Sequence, residues 1–176
     1  MNEWIDELCD LTAAGERVVL VTVAGIRGSA PREVGAKMVV TPTDTFGTIG
    51  GGQLEYQCTR IACDMLGDDE TPALRKFPLG SSMGQCCGGV VDILFEPIAS
   101  ELPAWLRDLR ALHGQRQPAV LATDLGAFLN HGRGRFACGC GNLQQVLDRV
   151  PERLLRQLEV RYFGLVKQSQ QRVEIV

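Results

Sequence analysis

The sequence contains no apolar run approaching the roughly 20 residues that a membrane-spanning helix needs, so no segment reads as a membrane anchor. It has no low-complexity stretch and no repeat with a period of about 20 to 50 residues, which excludes a solenoid and an array of modules. An excess of basic charge is missing too. The 18 Lys+Arg are outnumbered by 21 Asp+Glu, giving a net charge of −3, so there is no basic face to displace counterions from a nucleic acid. Histidine is reduced to two residues, His113 and His131, neither of them in an HxH or HExxH setting. No paired-carboxylate arrangement stands out and the chain lacks a P-loop ending in Gly-Lys-Ser/Thr, so hydrolytic chemistry has little support and nucleotide-phosphate chemistry has no recognisable carrier. The first residues, MNEWIDELCDLTAAGE, lack the basic start and uniformly apolar centre of a secretory signal, and the expected location is the cytoplasm.

What is there is an ordinary globular composition with two excesses. The chain has 176 residues, 45% of them apolar, enough to bury a core in one domain without disulfides or a structural metal. The excesses are 20 glycines and seven cysteines, Cys9, Cys58, Cys63, Cys86, Cys87, Cys138 and Cys140. An odd count in a reducing compartment reads as thiols rather than bridges. Neighbours in sequence, such as Cys86 and Cys87, also make a poor disulfide on geometry.

Patterning predicts a helix over residues 3–13 with Trp4, Ile5, Leu8 and Leu11 on one face. Strands are predicted at 17–25, a continuous β-branched run suited to burial on both faces, and at 37–41, closed by a turn at Pro42 and Asp44. Leu54, Cys58, Ile61 and Met65 recur at helical spacing, with Gly67 as the expected C-cap. Further strands are expected at 74–79, 90–98 and 118–124, a helix after Ser100 carrying Leu102, Trp105, Leu106 and Leu109, helical pattern over 143–158 interrupted at Pro151, and one or two strands in the tail from Arg161. Intermingled strands and helices predict an α/β fold, a single domain with a mixed sheet layered by helices.

Glycine and cysteine concentrate in three loops that stand to meet at one end of that sheet. GSAPREVGAK, residues 28–37, carries Pro31 and follows Arg27; Arg27, Arg32 and Lys37 are cationic donors suited to phosphate or carboxylate. In GTIGGGQLE, residues 47–55, three successive glycines precede a strong helix, so backbone N–H groups and the helix dipole together suit an anion. In SSMGQCCGG, residues 81–89, glycines expose two thiols that point opposite ways if the backbone is extended, so one can face a site while the other packs. A zinc site built from Cys86, Cys87, Cys138 and Cys140 is disfavoured, because C-C and C-x-C do not wrap one metal as C-x₂₋₄-C does. Cys138 and Cys140 are expected in a glycine-rich turn, and Cys58 as a small core residue.

VLVTVAGIRGSAPREVGAKMVV, GTIGGGQLE and GQCCGGVVDILFEP, in that order over residues 19–97, resemble the N-terminal domain of the XdhC/CoxI family of xanthine dehydrogenase accessory proteins. The resemblance covers residues 1–176 as one such domain, with a motif-bearing core over 17–98 and an extension over 100–176 that is similar only loosely. It implies a cytoplasmic chaperone, a carrier more than an enzyme. Such a protein binds the molybdenum cofactor (molybdopterin) as transient cargo, supports its sulfuration with a cysteine desulfurase, and delivers it to apo xanthine dehydrogenase or a related molybdenum hydroxylase. A homodimer is implied as well. Carried onto this sequence, the resemblance implies Cys86 and Cys87 as the thiols that handle sulfur, with Cys86 in possible contact with molybdenum. Gly28, Ser29, Arg32, Lys37, Gly50, Gly51, Gly52, Gln53, Glu55, Gln85 and Cys86 would line the cofactor. Two features depart from the family. Many members continue into a Rossmann domain, and none follows before Val176; some carry cysteine where Gln53 stands here. The rival readings are a thiol-dependent sulfur transferase, with a persulfide on Cys86 resolved by Cys87 or Cys58, and a metal-stabilised interaction module.

Overall fold

A computed structural model describes residues 3–68, 71–80, 88–99, 101–116, 119–123, 135–139 and 161–163. Contacts divide the chain into two compact units, Met1–Leu102 and Pro103–Val176.

The first unit is built on β1 (Val18–Arg27), whose apolar run predicts burial on both faces and is buried from Val18 to Ala24. β2 (Lys37–Val40) lies on one side of it, followed outward by β3 (Thr45–Gly47). On the other side come β5 (Val90–Ile98) and then β4 (Ala73–Pro78), for an order of β3-β2-β1-β5-β4. The α/β class is as expected, but the strand directions are not mixed. Every pairing is antiparallel, because the loop of 28–36 and the turn after β2 each return the chain beside the strand it has just left. That turn follows Thr41, whose hydroxyl accepts from the amides of Thr43 and Asp44 at 3.3 and 2.9 Å, while Thr41 N–H donates to Asp44 O at 2.9 Å.

Helix α2 (Gly52–Asp68) covers one face of the sheet. Its Leu54, Cys58, Ala62, Met65 and Leu66 pack with Val19, Val21, Val23, Met38, Val40, Val91, Ile93 and Phe95 in one buried cluster. These strand residues are every second one, as the pleat requires. The predicted stripe therefore holds, with Ala62 and Leu66 joining it; the helix runs through Gly67 rather than ending at it. Helix α1 (Glu3–Ala13) packs on β1, β2 and β3 and buries Ile5, Leu8 and Cys9 outside that cluster. Lys37, which alternates with Met38, stands 5.4 Å above the Trp4 ring. That contact places α1 on the opposite face, so the sheet is the middle of three layers.

The second unit contains α3 (Ala104–Gly114), which buries Trp105, Leu106 and Leu109, and a sheet of β6 (Ala119–Thr123), β7 (Arg135–Gly139) and β8 (Arg161–Phe163). Its order is β7-β6-β8, again antiparallel. Cys138 lies in β7 opposite Val120, not in the expected turn, and Cys140 lies outside the described residues. The helical pattern of 143–158 lies outside them as well.

Candidate functional site

The strand ends that carry the glycine loops all lie at one end of the first sheet. Arg27, at the end of β1, pairs with Val90 at the start of β5, which in turn opposes Pro78 at the end of β4. Met38, near the start of β2, pairs with Gly47 at the end of β3. The loop of 28–36, the turn of 48–51 and the pair Gly88-Gly89 therefore emerge together.

They are also in contact, and glycine is what permits it. Gly50 has φ +130°, and a Cβ there would stand 2.5 Å from Pro31 Cγ. The second loop is thus seated on the ring of the first, with Arg32 Cγ at 3.6 Å from the same point. Gly89 sits so close under the first loop that a Cβ would collide with Ser29 O and lie 2.7 Å from Arg27 O. Leu79 N–H donates to Gly89 O at 2.7 Å, tying the end of β4 into the same cluster. Gln85, Cys86 and Cys87, the nearest chain before Gly88, lie outside the described residues.

At the centre of the turn is a carboxylate. Glu55 Oε2 accepts from Thr48 Oγ1 at 2.5 Å, Ile49 N at 3.0 Å and Gly51 N at 3.1 Å. Gly50 N donates to Thr48 Oγ1 at 3.1 Å, so the hydroxyl links a further amide to the same group. Burial by itself would raise the Glu55 carboxyl, but the bonds from Thr48 and the turn amides outweigh it and hold the group below its ordinary value. The glycine run predicts these amides as open donors for an external anion. In the structure the chain's own side chain meets those of Ile49 and Gly51, a relative of the capping box in which a first-turn Glu reaches back over the helix start. A glutamate three residues after the last glycine of the run, in the first turn of the predicted helix, is the sequence signal for it.

The cationic residues separate. Arg32 is exposed beside Gly50, with Glu33 Oε2 3.6 Å from its Nε. Arg27 Nη2 is 3.2 Å from Asp92 Oδ1 across the strand pair. Gly25 sits where β1 slips register against β5, and a Cβ there would press on the same carboxylate. Lys37 is turned to the α1 side of the sheet, where its ammonium lies over Trp4 and donates to Gly35 O, near the end of the first loop, at 3.3 Å. Gly28, Ser29, Gly52 and Gln53 are exposed at the rim. Cys58 is fully buried, and burial first, with the Glu55 charge second, pushes its thiol up to about 12. It is a core residue and cannot supply the thiolate that resolving a persulfide demands. Among the described residues no group of three His, Cys, Asp or Glu could hold a metal ion, and no helix is long and apolar enough to cross a membrane.

Residues 11–78, which carry the first two loops, match the model of the XdhC and CoxI family. That stretch is similar to the family. A relative, the molybdenum cofactor insertion chaperone PaoD of Escherichia coli, is 33% identical over 115 residues, which are 63% of this chain and 35% of that protein. A crystal structure described as a xanthine dehydrogenase from Bacillus halodurans shares the fold with a TM-score of 0.62 at 18% identity, over 91% of this chain and 52% of that one. The chain thus spans about a third of the length of the first and half of the second. The family match ends before Cys86 and Cys87, so those thiols rest on the sequence pattern alone.

Proposed function

We propose that this chain takes part in maturation of the molybdenum cofactor, as a carrier that shields the cofactor and hands it to a molybdoenzyme. The observation that supports this reading is the contact of the 28–36 loop with both the glycine turn and Gly89, the 28–36 loop and the glycine turn lying in the stretch that matches the family model. A pterin with a phosphate and a dithiolene-bound metal asks for hydrogen-bonding groups, a cation and a soft ligand on one rim. Ser29, Gln53 and Arg32 provide the first two, exposed on loops that touch one another. Cys86, with Cys87 beside it, provides a thiolate in the chain that leads into Gly88, suited to molybdenum or to an incoming sulfur. Sulfuration with a cysteine desulfurase, delivery to apo xanthine dehydrogenase or a related hydroxylase, a homodimeric state and a cytoplasmic setting belong to the same proposal. Gly28 and Gln85 would border the cargo.

The test is expression in a host that makes the cofactor, beside Cys86→Ser and Cys87→Ser, with molybdenum, zinc and the fluorescent oxidised pterin measured in the purified proteins. A stoichiometric pterin content that falls at least tenfold in one serine variant is the expected result. Zinc without pterin would move the protein to the interaction-module reading. A persulfide on Cys86 without pterin would move it to sulfur transfer.

A further inference from the structure

We propose that Glu55 is a positioning residue that permanently fills the anion nest of the glycine turn, so that the turn serves as a self-closed brace for the Pro31-Arg32 loop and not as a cradle for an external phosphate. The inference stands apart from the cofactor reading, because it concerns only what the chain does with its own amides.

Its basis is the convergence of three donors on one oxygen. Thr48 Oγ1, Ile49 N and Gly51 N all lie within 2.5 to 3.1 Å of Glu55 Oε2. An oxygen holding three donors, one of them a hydroxyl, has little capacity left for another partner. An incoming phosphate must break those bonds and stand beside a carboxylate that is fixed to the first turn of α2 and retained by its Leu54 neighbour in the core. Like charge at that range disfavours it. The arrangement also reaches the neighbouring loop. With Ile49 buried and the amides on either side of Gly50 pinned, Gly50 is held where only a residue without a Cβ clears Pro31. The position of Glu55 thereby sets where Pro31, and with it the exposed guanidinium of Arg32, comes to rest. An anionic ligand at this end would meet Arg32 and not the turn amides.

Isotope-labelled full-length protein, followed by amide NMR, tests this with two titrations. Lowering the pH of the wild type should move the Ile49 and Gly51 amides together, with a midpoint below the ordinary 4.5 of a glutamate. Inorganic phosphate at neutral pH, up to tens of millimolar, should leave both amides in place. In Glu55→Gln the acid titration step should vanish and the Arg32 amide should shift, a response that ordinary loss of stability would not confine to these residues. Saturable movement of the wild-type Ile49 and Gly51 amides with phosphate would overturn the proposal, as would amides that ignore the acid titration. Both wild-type titrations stand even if the glutamine variant fails to fold. Neither involves the cofactor, so the proposal can fail without touching the carrier reading, and the reverse.

Discussion

At the scale of single residues, the cysteines divide by environment rather than by number. Cys9 and Cys58 are fully buried, and Cys58 is held as a thiol by burial and by the nearby Glu55 charge. Cys63, five residues along α2 and so off the buried stripe, is exposed, with its sulfur 4.0 Å from Thr41 O. Thiolate fraction and access both govern alkylation, so these three should label in a set order. Brief iodoacetamide treatment of the native protein at mildly alkaline pH, read by peptide mass spectrometry, should modify Cys63 while leaving Cys9 and Cys58 below a tenth of its level. Denaturant should bring all three to the same extent. Labelling of Cys58 in the native state at the rate of Cys63 would contradict its place in the core. The sequence already showed Cys58 on an apolar stripe, and this residue was legible for that reason. A glutamate just after the glycine run hints that Glu55 claims turn amides, but not which ones, because the partner set depends on how the turn folds back on the helix.

At the scale of elements, the strands and helices with strong periodicity were legible and the short, mixed ones were not. The run from Val18 and the spacing of Leu54 and Cys58 each state their element alone, since one face or both must be apolar throughout. β3, only Thr45–Gly47, exists because β2 offers it an edge, and β7 because β6 does, so local pattern says little about either. Antiparallel order was equally hidden, being a property of pairing and not of any strand. The turn between β3 and α2 can be probed by two adjacent glycines. Gly50→Ala meets Pro31 at 2.5 Å and must keep φ near +130°, whereas Gly51→Ala meets open space and bears only φ +72°. The first should cost roughly 2 to 5 kcal/mol, combining backbone strain with overpacking, and the second about 1 to 2 kcal/mol. Urea denaturation of both variants checks the order; equal losses would mean that the Pro31 contact gives way freely.

At the scale of the whole molecule, the question is how much chain the folded core and its loop cluster require. Every member of the main buried cluster, from Val19 to Phe95, falls in the unit that ends at Leu102. So do all five strands of its sheet, the two helices that cover it, and the 28–36, 47–55 and 81–89 loops. A unit of about 100 residues with its own core is within the ordinary size of an independently folding domain. Residues 1–102 expressed alone should therefore unfold in one cooperative transition with urea, and Leu54→Ala should lower that fragment's stability by about 2 to 5 kcal/mol, as expected for emptying a core position. A broad, non-cooperative transition would show that residues beyond Leu102 complete the core. If the fragment folds, its pterin content beside that of the full chain locates the cargo's contacts. An equal content places them on the loop end of the first sheet, and a folded fragment that loses the pterin assigns the missing contacts to 103–176.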